Sequence, residues 1–359
     1  MKKWICFLFL LLALTGEARA AELPRDLTKA LPEAAEDVLD MDNLSGPGGF
    51  SQGLAGIVER LSWEVRAVLR QRLRGAASIL LVAVACGAVD GFARGTGEGK
   101  AAAFLPMAGA LAVTLLTAGS LEDLIGLGAE TIRELNVFSK ALLPTLAAAT
   151  AASGAVTTAT FQQVTTVFLA DLLMELIDGL LIPLVYLYIG ALAAGACLPE
   201  NRLGAVAEAL KKIVTWLLTS SLLLFTVYLS AVRVIAGAAD GASVKVAKAA
   251  ISGAVPVVGG IIAEAAETVL AGAGMLKNTI GVFGMLAILA ACAYPFLQLG
   301  VQYLLYKLSA FLAAAVGAPE LCKLIDGLGG AFGLVLGMTG SCALLLLVSV
   351  LSSVAAVTP

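Results

Sequence analysis

The chain has 359 residues, 60% of them hydrophobic and only 14% charged, with a mean hydropathy of +0.96. A soluble domain runs about 45–50% apolar and about 25% charged, so the excess apolar surface calls for a bilayer as solvent. The net charge of −3 offers no basic face to nucleic acid, and the absence of His excludes Ser-His-Asp, Cys-His and His-metal chemistry.

In chain order, Lys2 and Lys3 precede an apolar run from Trp4 to Leu14, followed by Ala18-Arg19-Ala20. A basic head, an apolar core too short to span and an A-x-A site predict a signal peptide over 1–20, cleaved after Ala20. The mature chain is then expected to start outside the cytoplasm. Residues 21–74 form a polar lead, with a breaker cluster at Ser45-Gly46-Pro47-Gly48-Gly49. Within it Leu54, Ile57, Val58, Leu61, Val65, Val68 and Leu69 recur at helical spacing among Glu59, Arg60, Glu64, Arg66, Arg70 and Arg72. This predicts an amphipathic helix that lies on the membrane, packs on a partner or presents a solvated face.

Apolar segments of spanning length follow near 75–93, 101–119, 137–156, 160–178, 180–198, 213–235, 250–274, 276–292, 294–317 and 329–354. A Leu or Val at a helix centre favours insertion by about 0.3–0.6 kcal/mol, whereas one Asp costs about 2.5–3.5 kcal/mol. The segments 213–235 and 329–354 are therefore the clearest spans, and 160–178, with Asp171, Glu175 and Asp178, the weakest. With the start outside, span 75–93 leads to a cytoplasmic loop holding Arg94 and Lys100. Span 101–119 then returns to an outer loop holding Glu122, Asp123, Glu130 and Glu134, and Arg202, Lys211 and Lys212 suit a second cytoplasmic loop. The arginines between Arg60 and Arg74 run against this positive-inside pattern.

A shift of 112 residues superposes Pro144 on Pro256, Pro183 on Pro295, Glu208 on Glu320, Lys211 on Lys323 and Ile213 on Ile325. With only 11 prolines in the chain, two coincident ones suggest an internal duplication. The expected organisation is a signal peptide (1–20), the lead (21–74), two transmembrane helices (75–129) and membrane repeats over 130–236 and 242–359. The fold class is all-α: a polytopic helical membrane protein with an internal duplication and Pro/Gly-broken helices. The units would be parallel, related by an axis along the membrane normal.

Two stretches are candidates for function. The first runs from Lys140 to Thr160, with Pro144, Gly154 and a threonine cluster; the second from Ser252 to Gly272, with Pro256, Gly259, Gly260, Glu264 and Glu267. Proline removes a helix hydrogen bond and glycine permits irregular backbone. In lipid such breaks persist only where protein or water meets the freed groups. They mark either a broken helix lining a polar path or close packing through small residues. Asp171, Glu175 and Asp178 fall on one helical face, fit for an ion relay or for an interfacial acidic face. The cysteines form no CxxC pair and read as small buried hydrophobes. No P-loop, GxSxG or HExxH occurs, so no catalytic, cofactor or metal site is expected and the chain does not read as an enzyme.

The stretch Ile251-Ser252-Gly253-Ala254-Val255-Pro256-Val257-Val258-Gly259-Gly260, followed by Glu264-Ala265-Ala266-Glu267-Thr268-Val269-Leu270, resembles the stage III sporulation protein AE family of endospore-forming bacteria. The Lys140–Pro144 segment shares the resemblance, which extends over most of residues 21–359. It implies a multi-pass subunit of a secretion-like channel apparatus joining mother cell and forespore and supporting forespore development after engulfment. The location implied is the outer forespore membrane. The implied partners are the lipid bilayer, other stage III sporulation membrane proteins including an ATPase, and an oligomeric assembly. The alternative is a secondary transporter with an ion- or proton-coupled site at the repeat interface.

Overall fold

The computed structural model describes residues 24–36, 49–96, 99–154, 156, 166–197, 202–254, 259–316 and 319–355. The expected signal peptide and its cleavage site lie outside them. All regular structure among the described residues is helical. Two short helices, α1 (Arg25–Lys29) and α2 (Glu33–Glu36), precede α3 (Gly49–Thr96) and α4 (Gly99–Ala152). Then come α5 (Val167–Leu176), a π turn (Ile177–Leu181), α6 (Ile182–Cys197), α7 (Arg202–Ala254), α8 (Gly259–Ala315) and α9 (Pro319–Ala355). The result is an all-α polytopic membrane protein with six helical stretches long and apolar enough to cross a bilayer: Phe50–Phe92, Leu105–Ala152, Phe168–Cys197, Leu203–Tyr228, Gly274–Ala315 and Pro319–Val354.

Nine of the ten apolar segments thus fall on six spans, and 250–274, partly outside the described residues, lies between two of them. Segments 101–119 and 137–156 share α4, because the charged stretch between them contains no proline and turns Glu122, Asp123 and Glu130 to the exposed face. The residue-130 boundary of the first expected repeat falls inside this helix, and the 236–242 junction inside α7. Pro106, Pro144 and Pro295 all lie within helices that continue past them. A single missing N–H leaves the flanking turns bonded and costs a kink, not an end. Within the Lys140–Thr160 stretch α4 continues past Pro144 and ends beside Gly154, whose φ of 98° is open to glycine and strained for other residues. Segments 160–178 and 180–198 join through the π turn, which sits where Pro183 cannot donate to the residue 179 carbonyl.

The packing register follows from close contacts. Gly53 lies against Leu286 and Gly87 against Val316, so α3 and α8 run parallel. Gly329 meets Tyr306 and Gly340 meets Phe296, so α9 returns antiparallel along α8. Gly109 borders Cys86 of α3 and Leu321 of α9, and Gly195 faces Gly204 across the α6–α7 turn. Helices α3, α5–α6 and α8 therefore point one way, and α4, α7 and α9 the other. The centre belongs to α8 and α9, whose most apolar windows are 61% buried against 17% for α3. There Phe138 meets Phe283 edge-on with centroids 6.4 Å apart, and Tyr306 meets Phe332 at 5.1 Å. Small residues let the backbones approach: a Cβ on Gly284 would stand 2.8 Å from Leu142 Cδ1. Buried hydroxyls serve their own helices. Thr117, Thr131, Thr150, Thr339 and Ser349 each donate to the carbonyl four residues earlier, at 2.7–3.1 Å.

Candidate functional site

In the described part of the first stretch Thr145 donates to the Ala141 carbonyl, Thr150 to Leu146 and Ser153 to Thr150, each within 2.8 Å, so these hydroxyls donate within α4; Thr157, Thr158 and Thr160 lie outside the described residues. Pro144 is half-buried between buried Leu143 and Leu146. In the second stretch Pro256 lies outside the described residues. Gly259 and Gly260 open α8, and Glu264 and Glu267 lie in its first turns with side chains outside the described set.

The acidic face of α5 finds partners. Lys140 Nζ pairs with Asp171 Oδ1 at 2.7 Å, and Arg133 Nε donates to Asp178 Oδ2 at 2.9 Å, as antiparallel register between α4 and α5 requires. Glu175 remains exposed. These groups border an open cavity of about 570 Å³. Asn136 Oδ1 and Asp178 Oδ1 are buried there without a protein partner. Side chains this exposed gain little from pairing in water, so the seam aligns α4 with α5 more than it stabilises them.

At the far end, where α6 turns into α7 and α8 into α9, lies a cleft of about 600 Å³. Glu208, Lys211, Glu320 and Lys323 all line it, with Tyr188 and Asp326. These are the charged positions that the 112-residue shift superposes: sequence comparison paired them, and the fold brings them to one opening. Tyr188 OH donates to the Gly327 carbonyl at 2.9 Å, and Lys307 Nζ pairs with Asp326 Oδ1 at 2.6 Å.

A third polar locus escaped sequence reading. Gln298, Gln302, Tyr306 and Ser309 are all buried on one face of α8, inside segment 294–317. Arg72 of α3 donates to Gln298 Oε1, and Tyr306 OH donates to Thr117 Oγ1 of α4 at 3.1 Å. The available signal was the spacing i, i+4, i+8, i+11 of polar residues in an apolar run. Hydropathy averaging conceals it because the four are spread among strongly apolar neighbours. Among the described residues no group of three or more His, Cys, Asp or Glu side chains is placed to hold a metal ion.

Comparison with known proteins agrees with this architecture. No protein of solved structure matches the chain. Stage III sporulation protein AE of Bacillus subtilis (strain 168) is 26% identical over 216 residues, 60% of this chain and 54% of that protein. The match therefore spans about half of the relative's length. The model of the family described as stage III sporulation protein AE matches residues 41–357. A multi-pass membrane chain matched over nearly all of its helical bundle is thereby a member of the stage III sporulation protein AE family.

Proposed function

We propose that this protein is a membrane subunit of a secretion-like channel apparatus joining mother cell and forespore, placed in the outer forespore membrane and required for forespore development after engulfment. The observation that carries this is the family match across the whole bundle. The sequence holds no P-loop, so energy would come from a separate ATPase subunit acting with other stage III sporulation membrane proteins in an oligomeric assembly.

The shape of the bundle suits a device that reaches beyond one membrane. Helix α3 has 48 residues and α8 57, roughly 70–85 Å at 1.5 Å per residue, against a hydrocarbon core of about 30 Å. Along α3 the uncharged stretch runs from Gly75 to Val89, roughly 22 Å, bounded by Arg74 and Asp90. Near its level Leu81, Leu115, Leu187, Leu304 and Phe311 are exposed and add apolar surface. This half is the membrane part. Arg70 and Arg74 snorkel at its outer boundary, and α3 from Gly49 to Arg74 projects outside as an extracytoplasmic extension. The arginines that defied the charge rule then precede the membrane as an extramembrane helix.

The test is recovery of a tagged chain from sporulating cells. Co-purification of an ATPase and other sporulation membrane proteins, with arrest after engulfment when the chain is deleted, is the expected result. Recovery alone, or normal sporulation without it, refutes the proposal.

A second reading, a secondary transporter with its coupling site between repeats, is favoured by the convergence of Glu208, Lys211, Glu320 and Lys323 on one cleft. It requires that neutral replacement of Glu264 and Glu267 abolish activity; normal sporulation in E264Q/E267Q cells counts against it.

A further inference from the structure

We infer that copies of this chain associate head to tail through their extracytoplasmic halves: α3 of one chain lays the stripe Leu54, Val58, Val65 and Leu69, with Arg66, along the α4 face of the next at Gly126, Glu130 and Val137. This supplies the subunit contact of the oligomeric assembly proposed above and rests on that reading.

The first face is a row of apolar side chains that the bundle leaves uncovered. Outside the membrane α3 meets Leu286 of α8 through Gly53 and buries Ile57 and Val68. Its flank at Arg60 and Gln71 borders a cavity shared with Ala34 of α2. Val58 and Leu69 each precede one of those two residues by two positions, about 200° around a helix, and so lie on the opposite flank. Leu54 and Val65 are eleven residues apart, as are Val58 and Leu69, about three turns, which aligns the four in one stripe. All four are 38–57% exposed. An aligned row of exposed apolar side chains outside the membrane marks a contact surface.

The receiving face lies on α4. Gly126, Glu130, Glu134 and Val137 border an open cavity of about 670 Å³ with Lys29 and Glu33 of the α1–α2 lead. A Cβ on Gly126 would meet nothing within 4 Å, and Val137 is 62% exposed. The face therefore has a gap for one apolar side chain and a surface for another. Arg133 is engaged by Asp178, so Glu33, Glu130 and Glu134 have only Lys29 against them and leave the cavity acidic. Exposed Arg66 and Arg70 of α3, and Glu122, Asp123 and Glu130 of α4, form no ion pair among the described residues.

The two faces match in height. Gly109 against Cys86 sets the antiparallel register of α4 on α3. Counted equally from that contact, Val137 is level with Val58, Glu130 with Val65 beside Arg66, and Gly126 with Leu69. Within one chain the faces do not meet, because residues 29–34 border both helices and the stripe points to the other flank. Copies in one membrane are related by rotation about its normal, which preserves height. Residues level in one chain are then level across a contact. Leu69 enters the gap at Gly126, Val58 covers Val137 and Arg66 enters the acidic cavity at Glu130. Apolar burial holds the contact, and the charges fix its register. Each chain offers one face of each kind, so the contact is heterologous and rotation about the normal closes it into a ring.

Disulfide cross-linking in native membranes tests this on the full chain with its own cysteines replaced by alanine. L69C/G126C and, as a second pair, V58C/V137C should give a ladder of dimers, trimers and larger species on oxidation. All four sites are exposed, so these substitutions leave the core untouched. Either cysteine of a pair alone should give no dimer, whereas L69C and G126C chains expressed together should give dimer only. L69C/V137C, offset by roughly 16 Å in height, should not cross-link. R66E should reduce the ladder several-fold, and R66E/E130R should restore it. Dimer from L69C alone places α3 against α3, a cross-linked monomer places the faces within one chain, and no product from either pair removes the contact; each overturns the proposal. An ATPase recovered with a chain that gives no ladder leaves the apparatus standing and overturns this contact, and a ladder without ATPase recovery does the reverse.

Discussion

Truncating Phe283 tests whether α4 and α8 form a packed core at the level of Phe138. Phe283 is fully buried and meets Phe138 of α4 edge-on at 6.4 Å. Burying a ring of roughly 150–200 Å² at about 25 cal/mol per Å² contributes about 4–5 kcal/mol, an upper figure because denatured chains already bury some surface. Alanine keeps part of that area but leaves a cavity, and Phe→Ala changes in cores cost about 3–5 kcal/mol. The neighbours limit collapse: Leu142 already fills the space over Gly284, so the upper part of this range applies. The edge-on pair adds about 0.5–1.5 kcal/mol. F138A, F283A and the double variant should therefore form a non-additive cycle, the double costing less than the sum of the singles by about that amount. Reversible unfolding in mild detergent, followed by far-UV circular dichroism, measures it. A cost below about 1 kcal/mol for F283A would mean that α4 and α8 do not pack here.

Two further perturbations follow from local geometry. Gly154 closes α4 at φ 98°, so G154A should destabilise by about 1–3 kcal/mol with helix content unchanged; a neutral result in the same unfolding assay would place the helix end elsewhere. Lys140 pairs with Asp171 across α4 and α5, so K140D should weaken their alignment and K140D/D171K restore it. Disulfide cross-linking between cysteines placed at Ile132 and Met174, both lining the same cavity, reads the alignment, and equal yields in all three chains would remove the pair's role.

The helical class and the membrane setting were legible because both are sums over many residues: an apolar majority and few charges bias every window alike. Boundaries were less legible. Hydropathy dips where Glu122, Asp123 and Glu130 turn to the outside, but a helix ends only where its backbone bonds do, and α4 carries them through to Ala152. The pairing of Asp178 with Arg133 was unreadable for a different reason. It spans 45 residues and depends on the antiparallel register of two helices, which no local spacing encodes.

The polar stripe of α8 shows the third limit. Gln298, Gln302 and Tyr306 each look unremarkable in an apolar run, since the Leu, Val, Phe and Ala around them keep the window's mean high. Their meaning comes from Arg72, which lies 226 residues from Gln298 in sequence and reaches it only because α3 and α8 run parallel. The cleft is the converse case. Glu208 with Glu320 and Lys211 with Lys323 were visible as repeated pairs, yet repetition alone did not say that they would converge. They converge because the α6–α7 and α8–α9 hairpins point the same way and pack through Gly327 against Leu192 and through Gly330 against Lys211. Charges at equal depth on two hairpins that point the same way form a charged opening at one end of the bundle. Equal depth also puts Asp326, three residues past Lys323, beside Lys307, where the opening reaches the level of Tyr306.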